Sequence, residues 1–212
     1  AFFSVHVKTR ERLNSGREGG GIGVVAVVKK GDLGDPFCSQ VAGHGLESGQ
    51  DFATKLQEKL IAEGIPVKID NAGVSGDTSA GGLSRVDWAV DGNPVPKLVI
   101  VALGANDMLR GVDPSVTKKN LEGILDKLKT KKIPVLLVGM RSPTNLGTFY
   151  QKKFDKIYDE LADDYDVPLY PFFLEGVAMH AELNQGDGVH PNQKGVAIIV
   201  DNIFSAVKKA LK

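Results

Sequence analysis

The sequence predicts an α/β fold with a mostly parallel sheet, on three observations. Short apolar runs of strand length recur along the chain, separated by longer stretches whose apolar residues repeat at helical spacing. Two of the runs, Leu98 to Leu103 and Val135 to Val138, are unbroken instead of alternating, the pattern of strands covered on both faces by helices. The 212 residues, 42% hydrophobic and 25% charged, suffice for one domain with a sizeable core.

In chain order, Val24 to Val28 reads as the first strand, and Phe52, Leu56 and Leu60 mark the first helix. Pro66 to Asp70 is a second strand and Leu98 to Leu103 a third. A helix starts at Pro114, with Asp113 as N-cap, Pro114 at the first helical position and Leu121, Ile124, Leu125 and Leu128 as its buried stripe. Val135 to Val138 is the next strand, then comes a helix carrying Tyr150, Phe154, Ile157 and Leu161, then a strand from Val167 to Tyr170. Val196, Ile199, Val200, Ile203 and Val207 give the last helix a continuous apolar face. These elements assemble as a flavodoxin-like three-layer α/β/α sandwich with its functional loops at one sheet edge. Residues 24–212 form a single domain. Residues 1–23 form an N-terminal segment that lacks the apolar core of a signal peptide, and the glycine cluster at its end precedes a strand instead of following one, which argues against a phosphate loop.

Composition removes several classes of function. Lys plus Arg equals Asp plus Glu at 26 each, so there is no electrostatic footprint for nucleic acid. No apolar run reaches the ~20 residues of a membrane span. One cysteine excludes an internal disulfide, and no Cys or His spacing suggests a metal, so neither metal nor cofactor is expected.

Chemistry concentrates in three runs. Asp187-Gly188-Val189-His190-Pro191-Asn192 places a carboxylate three residues before a histidine on a turn, where it can bond Nδ1-H, fix the tautomer and stabilise the imidazolium formed when Nε2 takes a proton. Leu98 to Leu103 empties into Gly104-Ala105-Asn106-Asp107, putting the Asn106 amide at the carboxyl end of a buried strand. Pro66 to Asp70 empties into the polar loop 71–79, where the Gly76 N–H can approach a substrate oxygen and, with Asn106, form an oxyanion hole. Turn and cap chemistry accounts for either of these last two runs taken alone.

Taken in order, the glycine loop, the Gly-x-Asn-Asp loop and the Asp-x-x-His-Pro run resemble the SGNH, or GDSL-type, hydrolases, over roughly residues 39 to 212. The group most alike is the small bacterial esterases, thioesterases, arylesterases and lysophospholipases. The resemblance implies a serine esterase acting on short- to medium-chain acyl esters, thioesters or lysophospholipids through an acyl-enzyme. It implies Asp187 and His190 as triad members, and Gly76, Asn106 and the nucleophile's own N–H as oxyanion donors. Val41-Ala42-Gly43-His44-Gly45-Leu46 looks like the stretch just after the family's Gly-Asp-Ser-Leu segment, and counting back from it puts Ser39 at the nucleophile. Here the sequence departs from the family: Phe37 and Cys38 stand where Gly and Asp are expected, Gln40 replaces Leu, and Gly34-Asp35 occurs upstream. Ser75 misses a Gly-x-Ser-x-Gly elbow by one residue and reads as a loop or capping residue. Cys38 reads as a buried thiol and His44 as pocket lining, while His6 and His180 read as surface or packing residues.

Leu109, Met140 and Phe149 are candidates to line an acyl pocket, with core packing an equal explanation for each. The expected partner is a small acyl ester, with room left for a homo-oligomer. Location is expected on the resemblance to be periplasmic or secreted, with the cytoplasm as alternative. Two other functions suit the same scaffold: a carbohydrate deacetylase, and a catalytically impaired binding module in which the altered serine segment has lost its chemistry.

Overall fold

The computed structural model describes residues 24–30, 46, 49–92 and 94–212. A five-stranded sheet in the order β2-β1-β3-β4-β5 is built from β1 (Val24–Lys30), β2 (Val67–Asn71), β3 (Leu98–Ala102), β4 (Val135–Val138) and β5 (Leu169–Tyr170). This is the flavodoxin-like order with one strand reversed. β3, β4 and β5 are parallel, whereas β1 runs antiparallel to both neighbours, pairing Lys30 with Val67 and Ala26 with Asn71 on one side and Val24 with Ala102 on the other. Four of the five strands therefore point the same way, and their carboxyl ends share one edge. Chain leaving β1 at Lys30 emerges at the opposite edge.

Seven helices cover the sheet among the described residues: α1 (Phe52–Ala62), α2 (Ser79–Val90), α3 (Ala105–Leu109), α4 (Pro114–Thr130), α5 (Thr148–Asp155), α6 (Ile157–Tyr165) and α7 (Gln193–Ala210). α1 and α7 pack together on one face, and α2 packs with α4, and α4 with α5 and α6, on the other. Between these layers β3 and β4 are buried along their whole length, which is why their sequences are unbroken apolar runs. Leu56 and Leu60 of α1, Leu121 and Leu128 of α4, and Ile203 and Val207 of α7 have no exposed surface, so each stripe read from spacing is a core face.

Two elements differ from the sequence reading. The helix expected over Tyr150 to Leu161 is two helices that meet at Lys156, although Phe154, Ile157 and Leu161 are all buried as the pattern requires. α2 carries Gly81 and Gly82 and little apolar periodicity, so propensity does not announce it. It is started by Thr78, whose hydroxyl accepts from Gly81 N, and Gly82 is needed because a Cβ there would lie 2.4 Å from Leu103 Cδ1. Asp113 caps α4 as expected, accepting from Ser115 N at 2.8 Å.

Candidate active site

Three loops converge on the carboxyl edge. The first leaves β2 at Asn71, whose side chain donates to Asp51, the N-cap of α1, and accepts from Gly73 N at 2.9 Å. A turn at Ser75-Gly76 comes next, with Asp77 N donating to Val74 O. The second leaves β3 through Gly104, whose φ of +109° starts α3. Any side chain at Gly104 would meet the Tyr158 hydroxyl at 2.3 Å, and that hydroxyl donates to Leu103 O at 2.7 Å. Burial beside Asp107 pushes the Tyr158 phenol well above its ordinary range, so it stays a donor. The third loop precedes α7. Because the far end of α7, at Ala210, lines a pocket with Val135 and Pro168 at the opposite edge, its first residue lies at the carboxyl edge.

The first two loops are fastened to one another by α3. Asn106 Nδ2 donates to Asp77 O at 2.7 Å, and the neighbouring Arg110 guanidinium donates to Gly76 O at 3.0 Å. Asp107 turns the other way: its buried carboxylate accepts from the N–H and the hydroxyl of Ser79, the first residue of α2. Ser79 Oγ in turn accepts from Asn120 Nδ2 at 2.9 Å, and Thr117 also reaches Asp107. Asp77 completes the corner through an ion pair with Arg85. Residues 106, 107 and 110 thus grip residues 76, 77 and 79.

The third loop is a tight hairpin. Gln185 N donates to His190 O at 2.7 Å and Asn192 N to Leu183 O at 2.9 Å, flanking a bridge between Asn184 and Pro191. Asn192 caps α7 by accepting from Lys194 N and Gly195 N, while its amide donates to Glu182 O. Gly195 lets the helix press against the hairpin, since a Cβ there would lie 2.3 Å from Leu183 O. Inside this frame His190 Nδ1 and Asp187 Oδ2 are 2.6 Å apart, and Asp187 Oδ1 accepts from Val189 N and His190 N. Burial pushes the Asp187 carboxyl up, but the two backbone N–H groups and the His190 ring outweigh it and hold it at about 2. Asp187 is therefore an anion at neutral pH, and its bond to Nδ1 fixes the orientation of a largely buried imidazole.

Ser39, the candidate nucleophile, lies outside the described residues, as do Cys38, His44 and His6. Ser75 is exposed in its turn and does not cap α2, a part taken by Thr78. His180 is exposed, 3.5 Å from Glu182 Oε1. Of the three acyl-pocket candidates, Leu109 and Phe149 are exposed whereas Met140 is buried in the core just beyond β4. Sequence reading gave no role to Asp107, Ser79, Asn120 or Arg110. The only signal was Asp107 itself, an acid directly after a fully apolar strand and one glycine turn. No group of three or more His, Cys, Asp or Glu residues able to hold a metal occurs among the described residues.

The family model for the GDSL-like lipase/acylhydrolases matches residues 33–198, a span that contains all three loops. The chain belongs to this family. Among its relatives, esterase TesA of Pseudomonas aeruginosa is 37% identical over 170 residues, covering 80% of this chain and 84% of that protein. The Escherichia coli protein named thioesterase 1/protease 1/lysophospholipase L1 is 38% identical over 80% of this chain and 78% of its own length. The SGNH-hydrolase esterase AlinE4 superposes with a TM-score of 0.67 at 50% identity, covering 80% of this chain and 90% of that one. The SGNH fold expected from the sequence is thus the fold observed, and this GDSL-family chain is a carboxylic ester hydrolase.

Proposed function

We propose that this hydrolase cleaves short- to medium-chain acyl esters by a Ser39–His190–Asp187 triad and a covalent acyl-enzyme. The observation that carries the reading is the 2.6 Å contact of His190 Nδ1 with a carboxylate held at about 2, on the same sheet edge as Asn106 and Gly76. Ser39 Oγ attacks the ester carbonyl while its proton passes to His190 Nε2, and Asp187 stabilises the imidazolium. The N–H groups of Ser39 and Gly76 and the Asn106 amide hold the oxyanion. Asn106 suits this part because its buried side chain is fixed at the carboxyl end of β3, with Nδ2 donating to Asp77 O in the loop that carries Gly76. Collapse of the tetrahedral adduct expels the alcohol, which takes the proton from His190. Water then attacks the acyl-enzyme with His190 again as base, which frees the acid and restores Ser39.

Chain length is compatible with this assignment despite the reversed β1. From Lys30 to Ser39, about nine residues can span ~30 Å, more than the length of a seven-residue strand. On its other side Ser39 leads towards Asp51, which is bonded to Asn71 at the carboxyl edge. Leu109 and Phe149, exposed at that edge, suit contact with an entering acyl chain, and buried Met140 suits the floor beneath it. The names of the relatives support thioesters and lysophospholipids as further substrates.

A fluorophosphonate probe tests the triad. One adduct per chain is expected, mapping to Ser39 by peptide mass spectrometry, and Ser39→Ala should lose both the adduct and turnover of p-nitrophenyl acetate down to the background an oxyanion hole alone supplies. An adduct at Ser75 would move the nucleophile there.

A further inference from the structure

Phe149 is 74% exposed and Leu146 38%, yet both belong to a segment that is firmly held. They sit on the short 3-10 turn Thr144–Leu146 and in the first turn of α5, in the connection that leaves the carboxyl end of β4. Beneath them Ser142 N donates to Asp155 at 2.8 Å, Gln151 to Ser142 O at 3.2 Å and the Tyr150 hydroxyl to Val112 O at 2.8 Å. Phe149 and Leu146 thus form an apolar tip that is held in place at the surface.

The surroundings of the tip say what it contacts. Residues 139–156 contain four cations, Arg141, Lys152, Lys153 and Lys156, against one carboxylate, Asp155, which is already engaged by Ser142. Lys153 Nζ lies 4.5 Å from the centroid of the Phe149 ring. Among the described residues, Arg141, Lys152, Lys153 and Lys156 have no carboxylate within 4.0 Å. The same holds for Lys119, Lys129 and Lys132, so what sets the four apart is their clustering in one short segment around an apolar tip, with Asp113 the further carboxylate that feels Lys153. Two apolar side chains bury far less than the ~800 Å² per partner of a stable protein contact. A lipid headgroup layer needs no such area: it takes an apolar tip into its acyl boundary and attracts the cations around it when the lipid is anionic.

We propose that residues 141–153 attach the enzyme to anionic lipid surfaces, with Phe149 and Leu146 entering the headgroup layer and Arg141, Lys152 and Lys153 facing its charges. The tip shares the carboxyl edge with the Asp187–His190 hairpin, and Tyr150 ties it to the loop after Asn106, so attachment turns the candidate active site towards acyl esters in the bilayer. Only that last consequence rests on the proposed function; attachment itself does not.

Co-sedimentation of the full chain with phosphatidylglycerol and phosphatidylcholine vesicles tests it. Binding to phosphatidylglycerol is expected, with little to phosphatidylcholine, and should fall steeply when salt is raised to about 0.5 M. The combined Arg141→Gln, Lys152→Gln, Lys153→Gln variant should bind about 100-fold more weakly, at roughly fivefold per charge, and still hydrolyse dissolved p-nitrophenyl acetate normally. Leu146→Ser with Phe149→Ser should weaken binding about tenfold. No binding by the unaltered protein, equal binding to both lipids, or full binding by either variant overturns the proposal. Self-association without lipid that disappears in the Leu146→Ser, Phe149→Ser variant also overturns it, because the tip would then face a second copy. Lipid binding without turnover of any ester would sink the proposed function and leave this inference standing; turnover without lipid binding would do the reverse.

Discussion

Within the Asp187–His190 hairpin the side-chain and backbone bonds to Asp187 join residues two or three apart, and the Asp187 side chain is 41% exposed. At the Gly76–Asn106 corner the bonds that tie residues 76–79 to α3, Arg110 and Asn120 join residues 28 to 41 apart, and Asn106 and Asp107 are 1% exposed. One half of the candidate site is made by its own turn, the other by the assembled fold. The difference separates two costs. If the corner holds the oxyanion as proposed, damage to it should lower stability together with catalysis, because buried donors lose their acceptors. If the hairpin acts as proposed, damage to it should lower catalysis and leave most of the stability, because its bonds are local.

Asn106→Ala tests the catalytic half of this contrast and has the largest expected effect. If the amide donates mainly to the developing oxyanion, kcat falls by roughly 10²–10³ with little change in KM. The same change removes the bond to Asp77 O, so thermal stability falls with it. A folded variant with near-normal kcat would return Asn106 to a purely structural role and erase the link between the two losses.

The same division decides what could be read from the sequence. The Asp187–His190 contact is visible there because three-residue spacing on a turn is a local property, and Pro191 and Asn192 locate the start of the next helix. Asn106 and Gly76 are visible as residues at strand ends, since an unbroken run such as Leu98 to Leu103 announces a buried strand by itself. The bonds that join them are not visible. Nothing in the spacing of Ser79, Asp107 and Asn120 says that a carboxylate and two polar side chains meet in the core, because pairing across 28 or 41 residues depends on how α2, α3 and α4 pack. The direction of β1 escapes for a similar reason: the apolar run Val24 to Val28 reads alike in both directions, and only its partners fix its sense.

Asp107→Ala sharpens the comparison from the structural side. It leaves the Ser79 N–H and hydroxyl buried without their acceptor, at a cost of about 3 kcal/mol, equivalent to a fall in Tm of roughly 6–12 °C for a chain of this size. If the grip of α3 on the loop sets the distance between Gly76 and Asn106, kcat falls as well while KM holds, and Asp107→Asn, which keeps one acceptor oxygen, recovers part of both. Calorimetry beside steady-state kinetics distinguishes the cases. A lowered Tm with unchanged kcat would mean that Asp107 serves the core alone.

The smallest expected effect belongs to the exposed half and is read as stability against pH. Burial raises the Asp187 carboxyl, but the N–H groups of His190 and Val189 and the His190 ring outweigh it and hold it at about 2, below its ordinary 3.8. On acidification the unfolded chain therefore binds this proton first. The stability contributed by ionised Asp187 is fully present above pH ~4–5 and disappears as pH falls through about 2. Because 41% of the side chain is exposed, solvent screening limits the contribution to about 1 kcal/mol. Asp187→Asn keeps an oxygen for the two backbone N–H groups, removes the charge and replaces the acceptor facing His190 Nδ1 by an NH₂ donor. Urea unfolding across pH should show the variant less stable than the unaltered protein by up to about 1 kcal/mol at pH ~7, with the gap closing between pH ~4 and ~2. A gap that persists at pH ~2 would mean that the amide distorts the turn itself. No gap at pH ~7 would mean that the charge contributes nothing to the hairpin, which then stands on its backbone bonds and the cap of α7 alone.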